Sequence, residues 1–93
     1  MQDGIKIVTV PRWLMPFGYG LTIYKTIFVR EDANREVVIA HEYCHTQQWN
    51  KIGLLKFPFK YLIELIKSGY LDNKYEVEAR KYADTHYRKF IGL

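Results

Sequence analysis

Residues 34–53 read NREVVIAHEYCHTQQWNKIG, and the spacing of residues in this stretch sets the fold class. Val37, Val38, His41, His45, Gln48 and Ile52 recur at intervals that bring them within one stripe of a helix. Asp32 or Asn34 can cap its start, and Gly53 ends it. Upstream the period changes. Ile5, Ile7 and Val10 lie among β-branched neighbours, Pro11 interrupts, and Pro16, Gly18 and Gly20 mark a loop. Leu21 to Arg30 (LTIYKTIFVR) is dense in strand formers, and reads as one long strand or as a hairpin turning at Lys25–Thr26. Downstream, a second helix is expected from Phe57 to Lys67, with Pro58 tolerated in its first turn and Ser68–Gly69 closing it. Asp72 or Asn73 then caps a third helix running to about Phe90. Strands followed by helices predict an α+β fold, a small N-terminal antiparallel or mixed β-sheet of two to three strands packed on three α-helices.

At 93 residues, positions 1–93 are expected to form one domain. Apolar residues make up 48 % and charged residues 26 %, a globular balance that argues against disorder. Fourteen Lys and Arg against ten Asp and Glu give a net charge of +4, which permits contact with nucleic acid or an anionic membrane without demanding either. A single cysteine, Cys44, excludes an internal disulfide framework. The start, MQDGIKIVTV, carries Asp where a secretory signal would be basic, and the longest uncharged stretch, Trp13 to Tyr24, is too short to span a bilayer. A cytoplasmic protein without a transmembrane segment is expected.

The helical stripe carries His41-Glu42-Tyr43-Cys44-His45, an H-E-x-x-H pattern. Residues four apart lie about 40° apart on a helix, so the two imidazoles face one point. Zinc accepts such nitrogens and acidifies a bound water, one ion per chain being expected here. Glu42 lies about 60–100° round the helix, beside the metal and off it, where a general base belongs. A catalytic zinc needs a third protein ligand. Glu76 shares its helix face with Ala79, Ala83 and Phe90, and two alanines allow a close helix approach; Glu78 points elsewhere, with Lys81, Thr85 and Lys89. Glu76 is therefore the expected ligand, His86 its rival, and Glu78 a solvated residue. Gln48, one turn past His45, is placed to hydrogen-bond a ligand carboxylate or a substrate, or simply to pack. Tyr75 and Tyr82 are candidate oxyanion donors. Cys44 reads as a buried, inert thiol, and Trp49, Phe57, Phe59 and Tyr61 as core.

HEYCHTQQW (41–49), GLLKFPFKYL (53–62) and YLDNKYEVEAR (70–80) together resemble the minimal gluzincin metallopeptidases, over nearly the whole chain. The resemblance implies a gluzincin-like core, zinc on His41, His45 and Glu76, and Glu42 as general base in peptide hydrolysis. Larger relatives carry an Asp where Arg80 stands here. A peptide or protein substrate would add to the sheet edge along Leu21 to Arg30.

Two other functions compete: a zinc-binding scaffold without turnover, and a surface that binds nucleic acid or membrane through Lys56, Lys60, Lys67, Lys74, Lys81, Arg88 and Lys89. No phosphate loop or stacking motif supports specific nucleic-acid binding. The end of the chain, Arg88 to Leu93, gives way to Gly92 and is expected to lie in its own cleft or a neighbour's, making the enzyme latent and allowing self-association through the tail.

Overall fold

Leu21 to Arg30 is a hairpin. In a computed structural model, which describes residues 4–93, the chain turns at Tyr24–Lys25, one residue earlier than expected, with Tyr24 in the left-handed region at φ 54°. The flanking strands are β2 (Gly20–Ile23) and β3 (Thr26–Arg30), preceded by β1 (Lys6–Val10). β2 pairs antiparallel with β3, Gly20 opposite Val29 and Ile23 opposite Thr26. β1 joins the other side of β3 in parallel, Lys6 beside Thr26 and Val10 beside Arg30. The sheet is thus mixed, ordered β1-β3-β2, with β3 central. Strand alternation sends Ile27 and Val29 to one face of β3, where both are fully buried against Ile39 and Ala40 of the first helix.

Three helices follow: α1 (Arg35–Ile52), α2 (Lys56–Asp72) and α3 (Lys74–His86). The fold is α+β, as the order of patterns predicts. Asn34 occupies the N-cap of α1 but forms no side-chain cap, and Asp32 instead pairs with Arg30 at 2.7 Å. α2 runs past the expected stop at Ser68–Gly69. Gly69 does break the helix, at φ 76° and ψ 174°, but one more turn, Tyr70 to Asp72, follows before α3. α3 ends at His86, short of Phe90, and residues Tyr87–Phe90 tighten into a 3₁₀ turn. That turn buries Phe90 against Tyr43 of α1, ring centroids 5.2 Å apart. Ala79 and Ala83 of α3 are buried, which keeps its inward face slim over the two turns after Glu76. Phe59 of α2, expected in the core, is 66 % exposed, because α2 buries only Phe57 completely. No helix among the described residues is long and apolar enough to cross a membrane.

Asn73 is the joint between α2 and α3. It has no solvent exposure; its Oδ1 accepts from the Tyr75 main-chain N–H at 2.9 Å, and its Nδ2 donates to the Tyr61 carbonyl at 3.3 Å. The first bond caps α3 and the second ties that cap to α2. Asn73→Ala should therefore cost about 1–2 kcal/mol in chemical denaturation, whereas Asn34→Ala, which removes no cap bond, should stay within about 0.5 kcal/mol of wild type. Equal losses for the two would contradict the assignment of the working cap to Asn73.

Candidate metal centre and cleft

α1 presents His41, Glu42, His45 and Gln48 over two turns, and the first turn of α3 brings Glu76 to meet them. His41 Nε2 lies 2.8 Å and His45 Nε2 3.1 Å from the same oxygen, Glu76 Oε1. The other oxygen, Oε2, accepts from the Tyr61 hydroxyl at 2.5 Å. Burial alone would push the Glu76 carboxyl upward, but hydrogen bonds from His41 and His45, joined by Tyr61, outweigh it and hold the group well below the usual carboxylate range.

His41, Glu42 and His45 can each place one ligand atom within 4.8 Å of the others. Glu42 is nevertheless the outlying member, its Oε2 3.9 Å from His41 Nε2, while Glu76 Oε1 touches both imidazoles. Glu76 therefore completes the donor set, and Glu42 stays beside it. The carboxylate of Glu42 is held from the sheet: Thr22 Oγ1 donates to Oε1 at 2.8 Å, with the Glu42 carbonyl at 3.1 Å as its other acceptor. Gly20 makes room for this. A Cβ there would stand 2.6 Å from Val38 Cγ1 and 3.0 Å from Glu42 Oε2. Burial raises the pKa of Glu42 despite the opposing influence of the two histidines, the direction a carboxylate needs to serve as a base near neutrality.

Gln48 fixes the tautomer of His45. Its amide nitrogen faces two acceptors, the Tyr75 carbonyl at 3.0 Å and Glu78 Oε1 at 2.6 Å, so its oxygen is the atom 2.7 Å from His45 Nδ1. Nδ1 must then carry a proton, leaving a lone pair on Nε2 of the neutral ring. That lone pair points at a carboxylate oxygen. Two acceptors at 3.1 Å require a positive charge between them, either an extra proton on His45 or a metal ion. Burial disfavours the imidazolium, but Glu76 and Glu42 prevail and raise the His45 pKa. Two imidazole nitrogens and a carboxylate oxygen are donors that zinc accepts, and Glu76 Oε1 already lies 2.8 and 3.1 Å from the two nitrogens. The donor set fits zinc.

His41, Glu42, His45 and Glu76 floor a cavity of about 800 Å³, walled by Phe17, Tyr19 and Leu21 on the sheet side and by Trp49, Pro58, Tyr61, Leu62 and Leu65 on the helix side. Tyr70, delivered by the turn after Gly69, also lines it.

Tyr75 and Tyr82 do not line the cleft. Tyr75 is buried among Phe57 and Tyr61, and Tyr82 stacks on His86 at 4.3 Å beside Tyr43 and Phe90. His86, the rival ligand, is occupied by that stack and by Thr85 at 2.7 Å, away from the paired histidines. The tyrosines that reach the cleft are Tyr19, Tyr61 and Tyr70. The signal for Tyr61 was its place one helical turn after Phe57, on the inward face of α2. Thr22 carried no signal, since only the tertiary packing of β2 on α1 makes it a partner of Glu42. Gln48 bonds to His45, and Glu78, though exposed, is engaged as the acceptor beyond it. Arg80 donates to the Leu71 carbonyl. Cys44 is buried as expected, and burial pushes its thiol up to about 12. The tail does not enter its own cleft: Phe90 is buried against α1 and α3, and the Leu93 carbonyl accepts from Arg35 at 2.8 Å.

The displaced groups give metal-free protein a defined pH response. Glu76, held below its ordinary 4.5, contributes stability above that value and loses it as pH falls through the lowered pKa. His45, held above 6.5, contributes fully below that value and loses its contribution as pH rises through the raised pKa; Glu42, held above 4.5, acts in the same sense. Thermal melts in a chelator should therefore show stability declining as pH rises above 4.5, more steeply above 6.5, and declining separately as pH falls below 4.5, with Glu76→Gln removing the acid limb and weakening the alkaline one. A chelated wild type whose Tm does not change above pH 6.5 would contradict the buried ion pair.

No family model, curated protein or solved structure matches the chain, so the chemistry of this centre has to be read from its own atoms.

Proposed function

We propose that the chain is a zinc-dependent peptidase of the gluzincin type, with His41, His45 and Glu76 holding one zinc ion and Glu42 acting as general base. One observation carries this reading: two imidazoles and a carboxylate oxygen from two helices converge at the floor of an apolar cleft, with a second buried carboxylate beside them. Zinc bound there would polarise a substrate carbonyl and lower the pKa of water. The chain's own residues do the rest. Thr22 holds Glu42 Oε1, which leaves Oε2, the oxygen facing His41, to take the proton from the attacking water. The water oxygen bonds to the carbonyl carbon, the C–N bond breaks, and Glu42 delivers the proton to the leaving nitrogen. Burial of Glu42 supports both transfers, because a raised pKa makes the group able to accept and to return a proton.

An extended peptide is proposed to bind along β2, Gly20 to Ile23, and not along the whole of Leu21 to Arg30. β3 lies between β1 and β2, so its backbone groups are already paired, whereas β2 is an edge strand whose Gly20, Leu21 and Thr22 line the cleft. A cytoplasmic setting is part of the same reading, supported by the lone, unpaired Cys44.

Elemental analysis of purified protein should give one zinc per chain, with His41→Ala, His45→Ala and Glu76→Ala each losing most of it. Glu78→Ala, which removes only the acceptor beyond Gln48, should weaken binding by about tenfold at most. Equal zinc in wild type and the histidine variants would sink the centre. Glu42→Gln should retain zinc and lose peptide cleavage by about 100-fold or more. Cleavage within threefold of wild type would remove Glu42 as the base, and zinc-replete wild type that cleaves no peptide would leave a metal-binding scaffold.

A further inference from the structure

Helix α2 is exposed on the wrong face for a helix of its composition. It buries only Phe57 completely, yet Phe59, Leu62, Ile63 and Ile66, with Leu55 at its N-cap, are 47 to 85 % exposed. At about 100° per residue, Leu55, Phe59, Leu62 and Ile66 fall within a stripe about 60° wide, Ile63 at its border. Lys56, Lys60 and Lys67, all exposed, form a row along one flank of that stripe. None of the three lysines takes part in an ion pair among the described residues. The nearest helix carboxylate, Glu64, is half-buried and lies roughly opposite the stripe.

We propose that this face of α2 docks on an anionic membrane surface. The helix lies in the plane of the interface, its apolar stripe among the upper acyl chains, while the lysine row reaches the lipid phosphates. An apolar band flanked by unpaired cations matches that chemistry, and each lysine near such a surface strengthens binding roughly fivefold. A second copy of the chain fits less well. Five apolar side chains fall far short of the roughly 20–30 residues per side of a standard interface, and the stripe has no bordering carboxylate to meet a partner's lysines. Nucleic acid would use the lysines and leave the stripe in water. Leu62 belongs both to the stripe and to the cleft wall, so the docked protein holds its cleft against the lipid interface. The proposal does not rest on zinc or on catalysis, and its test reads neither.

The test is co-sedimentation of the purified 93-residue chain with phosphatidylcholine vesicles, with and without phosphatidylserine at about a third of the lipid. Binding should be at least tenfold tighter to the anionic vesicles and should fall as salt is added. Lys56→Gln with Lys60→Gln and Lys67→Gln should lose at least tenfold, as should Phe59→Ser with Ile66→Ser, each checked for wild-type circular dichroism. Lys81→Gln with Lys89→Gln, two exposed lysines elsewhere, should bind within threefold of wild type. Failure of the wild type to bind, or equal binding to neutral vesicles, would overturn the proposal, and the wild-type salt series decides the matter even if a variant misfolds. So would binding to duplex DNA without binding to vesicles, or a lipid-free dimer that Phe59→Ser with Ile66→Ser abolishes.

Discussion

Glu76 Oε1, shared by two imidazoles, is the contact on which the rest of the structure turns. Glu76, His45 and Glu42 are 4, 6 and 8 % exposed, and any one of them left unpaired at that depth would be strongly destabilising. Together they satisfy one another. No buried side-chain nitrogen or oxygen among the described residues lacks a hydrogen-bond partner. The arrangement works only if a proton or a cation resides between the carboxylate and the His45 ring, because Gln48 has already assigned the Nδ1 proton of His45. A buried cluster that demands a cation is in chemical terms a metal-binding site or a protonated histidine, and both states keep α1 and α3 together.

Several small features exist to let those groups meet. Ala79 and Ala83 remove bulk from the inward face of α3, whose first turn must bring Glu76 to the rings of α1. Asn73 sets where that first turn begins, and its second bond places α2 relative to it. Gly20 lets the edge strand approach until Thr22 can grip Glu42, a contact that any Cβ at position 20 would obstruct. The sheet, which supplies the buried Ile27 and Val29, therefore also positions the Glu42 carboxylate beside the two imidazoles.

How much of this was legible in sequence follows from the range of each interaction. The α1 stripe, the fold class and the inward phase of Glu76 depend on periodicity along one helix, which neighbouring residues reveal. The Tyr24–Lys25 turn was placed one residue late because Tyr24, with no glycine signature, occupies a left-handed conformation. Asn34 and Asn73 both look like caps; only the second has its side chain buried between two helices, a fact of tertiary packing. Thr22, Tyr61 and Tyr70 escaped for the same reason, each being distant in sequence from the carboxylate it approaches or the cleft it lines. Phe59 was misjudged on composition, since an aromatic residue on a helix is normally buried and α2 has too little protein above it. Of the two places expected for the tail, its own cleft is excluded, since Phe90 completes the α1–α3 core.

A chain of this size buries a modest fraction of its surface, and the way it divides its helices shows the consequence. α1 and α3 close the core on the sheet, which leaves α2 to form a cleft wall with little to pack against. What fixes α2 is then mostly at the site itself: Phe57 inside the ring cluster of Trp49, Tyr61 and Tyr75, the Tyr61 hydroxyl on Glu76, and the Tyr61 carbonyl on Asn73. Two of these three attachments pass through Tyr61, and one ends on the carboxylate that meets both imidazoles. The position of the cleft wall is thereby coupled to the charge state of the centre beneath it. The carboxylate whose Oε1 meets the two imidazoles thus holds the wall with its Oε2.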